Sequence, residues 1–113
     1  MITNTINGAP ISGAIFCDYF RSLINRFFKI LPMRETEEAS LPTYLSSLQM
    51  ELLGFSHLVS GAKNNSSFMT MLSILQYLID DPDCPVASVR REVFHAINLC
   101  NRIIEVYMES EAM

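Results

Sequence analysis

The fold is decided most clearly in residues 84–104, which read CPVASVRREVFHAINLCNRII. Apolar side chains recur there every three or four residues, and this repeat places them along one side of an α-helix. The side chains that form this seam are Val89, Val93, Ala96, Cys100, Ile103 and Tyr107. The pattern predicts a long helix that begins near residues 85–88, ends near Met108 and buries the seam.

A second, polar pattern runs along the same predicted helix. Its members follow one another by four, three and four residues, so they lie on one face, opposite the seam. They are Arg91, His95, Asn98 and Arg102, which we call the polar stripe. Such a stripe is typical of the solvated face of an amphipathic helix. The functional alternative is a cationic surface for an acidic partner or a phosphate-bearing ligand. The candidate partner- or anion-binding residues are then Arg90, Arg91, His95, Asn98 and Arg102.

Two adjacent cations, Arg90 and Arg91, stand in what the pattern predicts as the first turn of this helix. The N-terminus of a helix carries partial positive charge and favours acidic side chains. The preceding turn, DDPDCP at residues 80–85, is acidic and offers counter-charges. We therefore expect its aspartates to offset the arginines, Arg90 to belong with the turn, and Asp83 or Ser88 to cap the helix.

Three further helices are predicted from the same kind of spacing. The first runs from Ile11 to a stop at Pro32, because the residue before a proline avoids helical geometry. The second covers about residues 41–60, with Ser40 as its cap, and the third covers about residues 67–79.

The burial of these helices is predicted from their charges and small residues. The first helix is apolar nearly all round, so we expect it to be central or shared with a partner. No charged residue lies between Phe68 and Ile79, which predicts that the third helix is buried on most sides. Gly54 in the second helix is expected either to let another helix approach closely or to mark a bend.

The fold class that follows is all-α, a small antiparallel four-helix bundle. The sequence contains neither a glycine-rich phosphate loop nor a useful length of alternating strand pattern. Residues 11–113 are predicted to form a single helical domain, since a chain of 113 residues is the usual size of one. Residues 1–10, MITNTINGAP, are expected to be a flexible N-terminal arm.

The amino-acid composition favours some classes of function over others. Hydrophobic residues make up 50 % of the chain and charged residues only 18 %, below the usual ~25 %. Few charges are available to cover the surface of a small domain, which favours self-association or a partner interface. The net charge of −4 argues against direct nucleic-acid binding.

The cellular setting is predicted from the cysteines and the N-terminus. Three cysteines without a CxxC pair indicate a reducing, cytoplasmic compartment. The N-terminus lacks the basic region of a signal peptide, and charges interrupt the longest apolar helix, so no membrane span is expected.

Catalysis finds little support in the sequence, and we assign no catalytic residue, metal or cofactor. Cys17 and Cys100 lie on apolar helix positions and are expected to be buried and structural, whereas Cys84 is expected to be an exposed thiol. Asp80, Asp81 and Asp83 lack the spacing of a calcium loop.

The predicted function is a non-catalytic protein-binding module, an interaction or adaptor protein that forms a homodimer. Helices one and three would form the self-interface, and the polar stripe would meet a protein partner. Two alternatives stay open. One is a mobile-element or phage-type inhibitor or accessory protein that binds and blocks a larger enzyme. The other is a binder of a small anionic ligand through the arginines of the fourth helix.

Overall fold

The computed structural model describes residues 5–6, 9–10, 13–58 and 66–112. The helices are α1 (Gly13–Glu35), α2 (Leu41–Leu58), α3 (Ser66–Asp80) and α4 (Val86–Ala112). Before them, β1 (Thr5–Ile6) pairs with β2 (Ala9–Pro10) in a short antiparallel ladder. The predicted all-α fold is confirmed. The predicted flexible arm stays a prediction, because residues 1–4 and 7–8 lie outside the described residues.

The helices form an antiparallel bundle in which α1 and α4 contact each other more extensively than any other pair. A guanidinium nitrogen of Arg90 lies 3.5 Å from a carboxylate oxygen of Glu35. Toward the opposite ends of the two helices, the Cys17 thiol lies 3.8 Å from the carbonyl of Ile104. α3 contacts α4 and α2, and α2 also contacts α1, so the four helices enclose one core.

The core consists of the predicted apolar seams. From α4 it contains Val89, Val93, Ala96, Cys100 and Ile103, as predicted. From the other helices, the largest fully buried side chains are Phe20, Leu23, Phe27, Ile30, Leu52, Phe68, Met71 and Leu75. Aromatic rings cluster between α1, α2 and α3: Phe20 lies 5.7 Å from Phe55 and 6.4 Å from Phe68, edge to face in both pairs. Burial of this apolar surface is the main force that holds the helices together.

The predicted stop of the first helix at Pro32 is wrong. α1 continues through Pro32 to Glu35, because a proline removes only its own N–H donor and its carbonyl still accepts from the Thr36 amide at 3.0 Å. The helix ends instead in two reverse bonds: the Glu38 amide donates to the Met33 carbonyl at 2.9 Å, and the Glu37 amide to Arg34 at 3.2 Å. This is the Schellman arrangement, and it places Glu37 at a left-handed φ of 53°.

Glu37→Gly is expected to raise the free energy of unfolding by about 0.5–1 kcal/mol, because glycine adopts left-handed φ without the steric cost that a Cβ brings. Glu38→Gly is the matched control, since Glu37 is the one non-glycine residue with positive φ among the described residues. Urea unfolding of both variants measures the difference. Equal effects of the two substitutions would show that the left-handed cap does not carry this strain.

The start of α4 removes the conflict between the arginines and the helix dipole. α4 begins at Val86, so Arg90 and Arg91 lie in its second turn. The prediction that they lie in the first turn is wrong. The Pro85 carbonyl accepts the Ser88 amide at 2.9 Å, which places Ser88 inside the helix. The helix therefore begins after Pro85, and the capping role predicted for Asp83 or Ser88 is wrong. Ser40 directly precedes α2, and its carbonyl accepts the Tyr44 amide at 3.0 Å, which is the cap position. Its hydroxyl, however, donates to a Glu38 carboxylate oxygen at 3.4 Å.

The structure also bears on three expectations about packing, which concern Gly54, α1 and α3. An added Cβ at Gly54 would meet no atom within 4 Å, so no helix approaches closely there. α1 contributes Phe20, Leu23, Phe27 and Ile30 to the core and exposes Phe28 and Lys29 on its outer side, so the expectation of a central or shared helix stays open. α3 contacts α2 and α4 and also meets α1 through Phe68 and Phe20, while its remaining face is exposed. That face is uncharged, in agreement with the sequence, and carries Met69, Ser73, Gln76 and Tyr77.

Candidate functional site

The polar stripe lies on the outer face of α4. Arg91, His95, Asn98 and Arg102 are all exposed, whereas Val93 and Cys100 on the opposite side are buried. Arg91 contacts its neighbour in sequence, with its Nε 3.4 Å from a carboxylate oxygen of Glu92. The structure thus brings the four side chains onto one surface, and their role in binding stays a prediction.

Arg90 stands apart from the polar stripe, on the side of α4 that faces α1. Its contact is the carboxylate of Glu35 in the last turn of α1, at 3.5 Å. The expected pairing of the two arginines with the aspartates of residues 80–83 is wrong: their contact partners are Glu35 and Glu92. For Arg90 the reason is the antiparallel packing of α1 against α4, which brings Glu35 of the last turn of α1 beside it. Exposed ion pairs of this kind contribute roughly 0–1 kcal/mol each to the free energy of unfolding.

All three cysteines are free and buried, so the expectation of an exposed Cys84 is wrong. Only 3 % of Cys84 is accessible, because the connector folds back onto the end of the bundle. A guanidinium N–H of Arg34 donates to the Cys84 carbonyl at 3.1 Å and holds the connector there. Cys17 and Cys100 are buried as predicted.

Cys100 is the most deeply buried of the three thiols. Burial raises the pKa of its thiol to about 12, so at neutral pH the group is protonated and a poor nucleophile. The thiol donates to the Met71 sulfur at 3.4 Å, a contact between α4 and α3. Cys100 therefore serves packing and offers no nucleophile for catalysis.

Because the pKa of the Cys100 thiol is raised in the folded protein, we expect the protein to lose stability at alkaline pH. The unfolded chain releases this proton above the ordinary thiol pKa of 9.0, whereas the folded protein keeps it until about pH 12. The contribution of this thiol to the free energy of unfolding is therefore fully present below pH 9. It falls between pH 9 and 12, by at most about 1.4 kcal/mol per pH unit. Cys100→Ala should make the decline shallower in urea titrations across this range. Parallel curves for the two proteins would contradict the burial of an ionisable thiol.

A cavity of about 300 Å³ opens at the end of the bundle where the α1–α2 connector meets the α3–α4 connector. We call it the end cavity. Its apolar lining comes from all four helices and includes Ile30, Leu41, Leu45, Leu78, Ile79 and Val89. Four carboxylates from the two connectors surround it, Glu37, Glu38, Asp81 and Asp83, which we call the acidic rim. All four are exposed.

Arg34 is the functional candidate that sequence reasoning missed. It lines the end cavity and donates to the Cys84 carbonyl, and its buried Nε has no hydrogen-bond partner among the described residues. Arg34 follows Pro32, the expected end of the first helix, and so falls outside the helical pattern that supplied the candidate residues. The available signal was its spacing: Phe27, Ile30 and Arg34 continue the buried stripe by three and four residues.

A second exposed feature lies on the α1–α4 side of the bundle. The rings of Phe28 and Phe94 meet edge to face, with centroids 5.8 Å apart and planes at 84°. Each side chain is 42 % exposed. We call these two residues the aromatic pair. Edge-to-face contact fixes the two rings relative to each other while leaving much of their surface in water.

Polar side chains between α1 and α2 are used for internal contacts. The Tyr19 hydroxyl donates to a Glu51 carboxylate oxygen at 3.2 Å, and the same oxygen pairs with Arg26. The Tyr44 hydroxyl donates to the Arg26 carbonyl at 2.8 Å. Burial, reinforced by the negative charge of Glu51, raises the pKa of Tyr19. These groups stabilise the bundle and are not a site.

Comparison of the chain with protein-family models gives no match, and comparison with curated proteins and with solved structures gives none either. Within the described residues, no three His, Cys, Asp or Glu side chains group closely enough to hold a metal ion. None of the helices in that part of the chain is both long and apolar enough to cross a membrane.

Proposed function

We propose that the protein is a small non-catalytic protein-binding module that acts in the cytoplasm as a homodimer. The observation that supports this most is the aromatic pair, two large rings that contact each other across α1 and α4 and still expose 42 % of each side chain. Aromatic side chains of this kind are typical anchors of protein interfaces, because they bury a large area at a small cost in side-chain entropy.

The aromatic pair also suggests where the dimer contact lies. Helices one and three were the expected self-interface, and α3 does expose Met69 and Tyr77. On α3, however, polar Ser73 and Gln76 are exposed beside them. Phe28 and Phe94, by contrast, form one continuous aromatic surface across α1 and α4. We therefore assign the self-interface to α1 and α4. In a twofold symmetric dimer the same patch occurs on both copies, so Phe28 and Phe94 of one copy would pack against those of the other.

The test is the dissociation constant of the dimer, measured by sedimentation equilibrium. Phe94→Glu should raise it by about tenfold or more, since a carboxylate would be buried without a partner. Met50→Glu is the control: Met50 is also an exposed apolar residue, 71 % accessible, but it lies on α2. Circular dichroism verifies that both variants fold. A wild-type protein that stays monomeric at high micromolar concentration, or equal effects of both substitutions, would contradict the proposal.

The two alternatives from the sequence stay predictions. An inhibitor or accessory protein that blocks a larger enzyme would also act by binding a protein, through a surface that the dimer leaves open. A binder of a small anionic ligand would use Arg91 and Arg102 of the polar stripe. Arg91 and Arg102 lie on the exposed outer face of α4, and the end cavity has one cation, Arg34, against four carboxylates. Neither place favours an anionic ligand, and for this reason the protein-binding module is our first proposal.

A further inference from the structure

The end cavity combines two chemical properties in one concave place. Its lining is made of aliphatic side chains from four helices, and its edge carries the four carboxylates of the acidic rim. An antiparallel bundle brings the first and third connectors to the same end, so the acidic stretches MRETEE and DDPD become neighbours although about 45 residues separate them.

The end cavity carries an excess of negative charge, because the four carboxylates of the acidic rim face a single cation in the lining, Arg34. Among the described residues, none of the four carboxylates forms an ion pair, and Glu38 accepts only a 3.4 Å contact from the Ser40 hydroxyl. Arg34 donates to the neutral Cys84 carbonyl and keeps its charge, so it offsets one of the four carboxylates, whereas Arg90 is paired with Glu35. Like charges grouped at a cleft create a potential that attracts cations.

The size of the end cavity limits what can enter it. About 300 Å³ is at the lower end of ligand pockets, which span roughly 300–1,000 Å³. It therefore admits an apolar side chain or two, but not a folded element. An anion would be repelled by the acidic rim, and a purely ionic cation would leave the apolar lining unused. The matching ligand has an apolar anchor with positive charges on both sides.

We propose that the end cavity binds a basic segment of a partner protein, with an apolar side chain of that segment inserted into the cavity and its lysines or arginines against the acidic rim. This inference rests on the proposed protein-binding function and adds the chemistry of the partner. Arg34 acts in it as a positioning residue: its bond to the Cys84 carbonyl holds the connector that carries Asp81 and Asp83.

The probe is a short fluorescent peptide in which adjacent leucines are flanked by lysines, and its binding is followed by fluorescence anisotropy. Neutralising the rim with Glu37→Gln and Asp81→Asn together should weaken binding by about tenfold and flatten its dependence on salt. Ser46→Trp should weaken it similarly, because exposed Ser46 lines the cavity and a tryptophan there would fill it. Ser47→Trp is the matched control, since Ser47 is exposed on α2 but outside the lining, and should bind as wild type does.

Control peptides separate the two halves of the proposed ligand. Replacing the leucines with serine should abolish the effect of Ser46→Trp, and replacing the lysines with glutamate should abolish binding. Binding that is unaffected by Ser46→Trp, or spermine that displaces the peptide fully, would overturn the inference in favour of a nonspecific cation surface.

Sedimentation of the same samples distinguishes failure of the cavity inference from failure of the dimer proposal. Absent peptide binding to an intact dimer refutes the cavity inference alone, and peptide binding by a strict monomer refutes the dimer alone.

Discussion

The antiparallel packing of α1 against α4 is the contact on which the rest of the structure depends. It buries Leu23 and Phe27 of α1 and Val93 and Cys100 of α4 at the centre of the core. Fully burying one such side chain stabilises the fold by roughly 1.5–3 kcal/mol, so this seam outweighs the exposed ion pairs around it. α2 and α3 then complete the core by closing over its open side.

Both candidate surfaces follow from this packing. The aromatic pair exists because Phe28 and Phe94 stand at the outer edge of the α1–α4 contact, where they meet but are not covered. The end cavity exists because α1 continues past Pro32 and carries Arg34 to the α3–α4 connector. The acidic rim is thereby held at a fixed edge of the bundle instead of lying on two independent loops.

Sequence periodicity was sufficient for the helices and for the α4 seam, because both depend on spacing within one segment. It failed where the outcome depends on contacts between segments. Cys84 looked exposed beside Asp83 and Pro85, but the connector that holds it folds onto the bundle. The counter-charge of Arg90 could not be assigned from its own segment, because Glu35 lies on α1. The end cavity is lined by residues from four helices, so no pattern within one segment predicts it.

Native-state hydrogen exchange, followed amide by amide, tests the central role of the α1–α4 contact most directly. Amides around Leu23 in α1 and Val93 in α4 should exchange only by global unfolding, with opening free energies equal to the stability of the whole protein. Amides around Leu48 in α2 should exchange through smaller, local openings. Exchange of α1 by a partial opening that leaves α2 and α3 protected would contradict the account.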